Sequence, residues 1–115
     1  MRSLVSALAA LLLTSLAAFA DPSGRYDVAG KNPNGTGYFG TATVARTGQT
    51  YSVVWAIGST RFFGTAVGTD KFFAVSYRAG DKTGVALYVA SGRNWEGIWT
   101  FTGGHETGTE VWERR

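Results

Sequence analysis

Thr50-Tyr51-Ser52-Val53-Val54-Trp55-Ala56-Ile57 is preceded by Gly48-Gln49 and followed by Gly58-Ser59. The run is rich in β-branched and aromatic residues, which suit a pleated, half-buried surface. Side chains alternate across a strand, so Tyr51, Val53, Trp55 and Ile57 share one face. Gly58-Ser59 suits a two-residue type II′ loop in which glycine takes the positive φ. The stretch predicts a strand that leaves through a tight hairpin into an antiparallel partner.

The same beat runs in both directions along the chain. Gly48, Gly58, Gly68, Gly80, Gly92 and Gly103 fall at intervals of ten to twelve residues, with Val, Thr, Phe, Tyr and Trp between them. Turn signals at that spacing predict an all-β sandwich or barrel. Eight strands are drawn: Arg25–Lys31, Tyr38–Arg46, Thr50–Ile57, Thr60–Val67, Lys71–Tyr77, Thr83–Ala90, Asn94–Thr102 and Thr107–Arg114. Their connections are too short for a crossover helix, so sequence neighbours pair antiparallel. Phe39-Gly40-Thr41-Ala42 recurs as Phe63-Gly64-Thr65-Ala66, each near the start of its strand. Glycines inside strands, at Gly40, Gly64, Gly97 and Gly108, mark bends or close approach, and a closed sheet needs such curvature. The reading is a small antiparallel up-and-down β-barrel of about eight strands, with a β-sandwich as the alternative. A barrel of this size holds side chains or one small ligand.

Residues 1–20 read as a secretory signal peptide. Arg2 supplies the positive n-region, Leu4 to Leu16 the apolar run, and Ala18-Phe19-Ala20 the small-x-small site before Asp21. The apolar run is shorter than the roughly 20 residues a spanning helix needs. Cleavage after Ala20 leaves residues 21–115 as one barrel domain, secreted or periplasmic, with no membrane span in the mature chain. The chain has no Cys, so disulfides, cysteine nucleophiles and thiolate metal sites are excluded. The 15 aromatic residues after Ala20 must supply cohesion in a domain too small for a thick core.

Charge excludes one partner class. Without Arg2 there are ten Lys+Arg against eight Asp+Glu, dispersed along the chain. Nucleic-acid binding needs a concentrated basic patch, and none is present. Catalytic constellations are sparse: the single His, His105, sits in a Gly-rich turn, and metal-ligand spacing is missing. No cofactor motif appears, since the Gly-rich segments open no helix. The expectation is a protein that is not an enzyme.

The aromatics are the richest signal. Trp55, Trp99 and Trp112, with Tyr51, either line a ligand cavity or simply fill the barrel. Glu110 alternates with Gly108 and Trp112, so it faces inward if Trp112 does. A carboxylate there must be paired or hydrogen-bonded, with Arg25, Arg61 and Arg78 as candidate partners. If Val111 faces inward instead, Glu110 is a surface charge. A macromolecular partner would meet the longest loop, which carries Lys31, Asn32, Pro33 and Asn34.

Several segments carry a family resemblance: Tyr26-Asp27-Val28-Ala29-Gly30-Lys31-Asn32-Pro33-Asn34-Gly35, Gly40-Thr41-Ala42-Thr43-Val44-Ala45-Arg46-Thr47-Gly48, Trp95-Glu96-Gly97-Ile98-Trp99 and Gly108-Thr109-Glu110. Over the whole mature length the chain resembles small exported alphaproteobacterial proteins labelled fibronectin-binding protein. The resemblance implies export and an adhesin-like binding role. Gly97-Ile98-Trp99 and the eight-strand count also give a looser architectural likeness to avidin and other calycin-type barrels. The functional expectation is an exported binding module that holds an extracellular or periplasmic protein, a glycan or a small ligand. The alternatives are a periplasmic inhibitor of a hydrolase or protease, and a structural envelope protein.

Overall fold

Period-2 patterning and glycine turns together produce a closed barrel. The computed structural model describes residues 21–115, so the expected signal peptide lies outside the described residues. The strands are β1 (Gly24–Lys31), β2 (Gly37–Thr47), β3 (Thr50–Ile57), β4 (Thr60–Gly68), β5 (Phe72–Ala79), β6 (Lys82–Ser91), β7 (Asn94–Phe101) and β8 (Gly108–Arg114). Each pairs antiparallel with its sequence neighbours, and β8 returns to pair with β1. The barrel is shown and the sandwich is not. No helix among the described residues is long and apolar enough to cross a membrane.

Four of the hairpins share one device. Gly48, Gly58, Gly80 and Gly92 have φ of 63°, 60°, 61° and 62°, and among the described residues none other than glycine has a positive φ. Each two-residue loop is therefore of type II′ with glycine first, whose twist matches that of the flanking strands. The β4–β5 connection differs, and β5 starts at Phe72 rather than Lys71. There the Thr69 hydroxyl accepts the Lys71 N–H at 3.1 Å, which holds Lys71 in the turn.

Alternation sorts the side chains. Tyr26 and Val28, Ala42 and Val44, Tyr51, Val53 and Trp55, Phe73 and Val75, and Trp95, Trp99 and Trp112 are all buried inside. The paired phenylalanines separate as a strand requires: Phe73 is inside and Phe72 outside, with Phe62 partly buried and Phe63 exposed. Trp112 is the hub of the packing. Its ring lies 4.3 Å from Tyr88, 5.1 Å from Tyr26, 5.7 Å from Phe73 and 6.0 Å from Trp55, centroid to centroid.

One end of the barrel is closed by the start of the described chain. The Tyr26 hydroxyl donates to the Pro22 carbonyl at 2.6 Å and accepts from Trp95 Nε1 at 3.1 Å. Arg114 lies over the Tyr26 ring at 4.8 Å and donates to the carbonyls of Ser23, Asp21 and Arg93 at 2.7, 2.9 and 3.0 Å. A guanidinium suits this work because its planar fork carries five donors. Arg114→Ala is expected to destabilise the barrel by about 1–2 kcal/mol, since it removes charge-assisted hydrogen bonds and a stacked cation. Thermal unfolding checks this: an unchanged melting temperature would show that the clasp contributes nothing.

Candidate functional site

The other end is open, and its architecture follows from one row of cross-strand neighbours. Tyr38 on β2 pairs with Gly30 on β1, Gly30 with Glu110 on β8, Glu110 with Gly97 on β7, and Gly97 with Tyr88 on β6. Glu110 thus has a glycine on each side, and beyond each glycine a tyrosine. A Cβ on Gly30 would overlap the Tyr38 ring, and one on Gly97 would overlap the Tyr88 ring. The bare glycines let both rings fold inward over their backbone. Their hydroxyls then reach the carboxylate: Tyr38 donates to Glu110 Oε2 at 2.5 Å, and Tyr88 donates to Oε1 at 2.7 Å. Trp112 Nε1 donates to Oε1 at 2.9 Å. Tyr77 over Gly84 and Trp99 over Gly108 repeat the aromatic-on-glycine arrangement.

Glu110 faces inward and is only 5% exposed. The candidate partners Arg25, Arg61 and Arg78 all fall on the outward parity of their strands and are exposed, so none reaches it. The only ion pair among the described residues joins Arg115 to Asp27 on the outside, at 2.8 Å. Neutral donors alone hold this carboxylate.

Those donors keep their protons. Burial, and next the negative charge of Glu110, raise the Tyr38 and Tyr88 hydroxyls well above the usual phenol range. The same two causes push Tyr77 up to about 12. The indole N–H groups of Trp55 and Trp99 are buried without a hydrogen-bond partner. The carboxylate thus accepts from three protonated donors, Tyr38, Tyr88 and Trp112.

Above Glu110 lies a cavity of about 190 Å³, open toward the connections that carry residues 32–36 and 102–107. Its walls are Tyr38, Trp55, Phe62, Tyr77, Tyr88 and Trp99, with Asn32, Ile57 and Phe101 at the rim and Glu110 on the floor. Comparable size matters here, because an apolar cavity of about 150 Å³ suffices for benzene.

Of the residues singled out from sequence, Trp55, Trp99 and Glu110 meet in this cavity. Trp112 does not line it; the ring lies fully buried below and reaches the site through its hydrogen bond to Glu110. Tyr51 is also not a cavity residue. It enters β3 at the closed end, where its ring lies under Arg46 at 5.6 Å and its hydroxyl accepts from Arg46 Nη1 at 3.3 Å. The partner-loop residues separate as well. Asn32 reaches the rim, whereas Lys31, Pro33 and Asn34 are exposed. Their loop is cinched on itself, with Asn32 N–H donating to the Thr36 carbonyl at 2.8 Å and Asn34 Oδ1 accepting from Thr36 Oγ1 at 2.7 Å.

Tyr38, Tyr77, Tyr88 and Phe62 were not legible as site residues. The available signal was an inward aromatic facing an inward glycine across a hairpin, as Tyr77 faces Gly84 and Tyr88 faces Gly97. Reading it requires the register of each pair. No protein-family model matches the chain, and no curated protein matches it in sequence.

Proposed function

We propose that this chain is an exported, non-enzymatic binding protein that carries a small ligand in the open mouth of the barrel. One observation carries the reading: a cavity of about 190 Å³, walled by aromatic rings, ends on a buried carboxylate. Concave, mostly apolar pockets with a few placed polar groups are the general form of small-molecule sites. Rings fixed over glycines give a rigid wall, so little order is lost on binding. A closed barrel also leaves no free strand edge for β-augmentation of a protein partner. The expectation of export rests on the signal-like residues 1–20.

Native mass spectrometry of the mature protein, purified gently from its own cells or medium, tests the reading. An added small-molecule mass that disappears on denaturation is expected. Ile57→Trp should plug the rim and abolish that mass while the barrel still folds. A bare protein mass, together with tryptophan fluorescence that no small molecule perturbs, would overturn it.

A further inference from the structure

The proposed cavity has one formal charge in its lining, and that charge is negative. Asn32, Ile57 and the aromatic rings are neutral, and Glu110 lies at the bottom. Buried charges are normally paired, because an ionised carboxylate loses its hydration on burial. Glu110 has hydrogen-bond donors but no cation. Those three bonds use three of about four acceptor positions on a carboxylate. Lys82, at the rim, does not fill the gap: its ammonium stands over the Phe101 ring at 5.7 Å.

The walls point the same way. Aromatic faces attract cations through the ring quadrupole, best with Trp and Tyr and most strongly where water is excluded. Here Trp55, Tyr77, Tyr88, Trp99 and Tyr38 surround the space above the carboxylate. Edge-to-face packing holds them: Trp55 against Tyr77 at 5.8 Å and Tyr38 against Trp99 at 6.3 Å. An anionic ligand would meet Glu110 with no Lys or Arg among the cavity-lining residues to offset it. A purely apolar ligand would leave the buried charge without its counter-charge.

We infer that the cavity selects a small organic monocation, a compact amine or quaternary ammonium head, seated between the tryptophan and tyrosine rings and balanced by Glu110. This rests on the reading of the barrel as a small-ligand carrier. The cavity volume suits a head about the size of a benzene ring. The rest of the ligand emerges through the mouth past Asn32 and Phe101.

The test compares two probes of the same shape and different charge: choline, and its neutral isostere 3,3-dimethylbutan-1-ol. Binding is followed by tryptophan fluorescence on the mature protein. Choline is expected to bind saturably and at least tenfold more tightly than the alcohol. Glu110→Gln, which keeps one amide oxygen as an acceptor, should erase that preference and leave the alcohol's affinity in place. Phe62→Leu, a wall change away from the carboxylate, should weaken choline more than the alcohol and guards against a Glu110 variant that folds poorly. Equal binding of the two probes, or binding of the alcohol and of neutral indole without choline, would overturn the cation assignment while the carrier reading stands. A fluorescence signal unmoved by every probe, with a bare native mass, would overturn both.

Discussion

Trp112→Ala is expected to cost about 3–5 kcal/mol, the range for truncating a large buried aromatic. The total stability of a domain this size is about 5–15 kcal/mol, so a large fraction goes. The reason is position. Trp112 has 0% exposure and contacts Tyr26, Trp55, Phe73 and Tyr88, which come from strands on all sides of the barrel. Its removal leaves a void that a closed sheet cannot collapse into, because every strand is pinned on both edges. It also removes one of three donors to Glu110, and a buried acceptor that loses a partner adds about 1 kcal/mol or more. Denaturant titration at constant m-value is the measurement. Trp112→Phe should lose less, because it keeps ring volume and forfeits the N–H. A Trp112→Ala loss below about 1 kcal/mol would contradict the fully packed core, given the usual cost of such truncations.

The second large effect concerns Gly97 and is expected to depend on its neighbour. In the wild-type background Gly97→Ala should destabilise by about 1–3 kcal/mol, the usual cost of overpacking. Backbone strain is not the cause, since Gly97 is not among the residues with positive φ. The new Cβ would instead strike the Tyr88 ring, which is stacked on Phe73 at 4.9 Å and tied to Glu110. Tyr88 cannot swing away without breaking both contacts. With Tyr88→Ala already present, the ring contact disappears and the Leu87 carbonyl oxygen, 3.1 Å from the new Cβ, remains as a tight neighbour. Alanine then costs well under its wild-type penalty, because the gain of about 0.5–1 kcal/mol over glycine in a strand interior offsets the remaining backbone contact. A double-mutant cycle measures the coupling. Additive effects would show that the glycine does not exist to admit the tyrosine. Gly30→Ala should cost a similar amount, since its Cβ meets the hydroxyl end of the Tyr38 ring, which is tied to Glu110.

These two residues also show where sequence reading stops. Gly97 reads from sequence as a bend or close approach, and close approach is what the structure displays. What approaches it is Tyr88, nine residues earlier, placed opposite by the β6–β7 register. Glu110 makes the same point. Alternation ties its direction to that of Trp112, but nothing local decides whether the even or the odd positions of β8 turn inward. Both sets contain an apolar residue, Trp112 on one and Val111 on the other. The barrel decides, since Trp112 fits the space at the hub between Tyr26, Tyr88 and Phe73 while Val111 stays 44% exposed.

The local chemistry of the chain determines the elements of this protein. Gly-X pairs with no other route to a positive φ set the hairpins, and β-branched and aromatic runs between them set eight strands in meander order. These are short-range effects, readable within a few residues. The cavity is a product of closure. Only when β8 meets β1 do Gly30 and Gly97 flank Glu110, and only then do Tyr38 and Tyr88 converge on it from opposite sides. The same strand, β3, places Tyr51 at the sealed end and Trp55, two pleat repeats further on, at the open one. Side-chain direction is a property of the strand, but the company a side chain keeps depends on registers summed around the whole barrel.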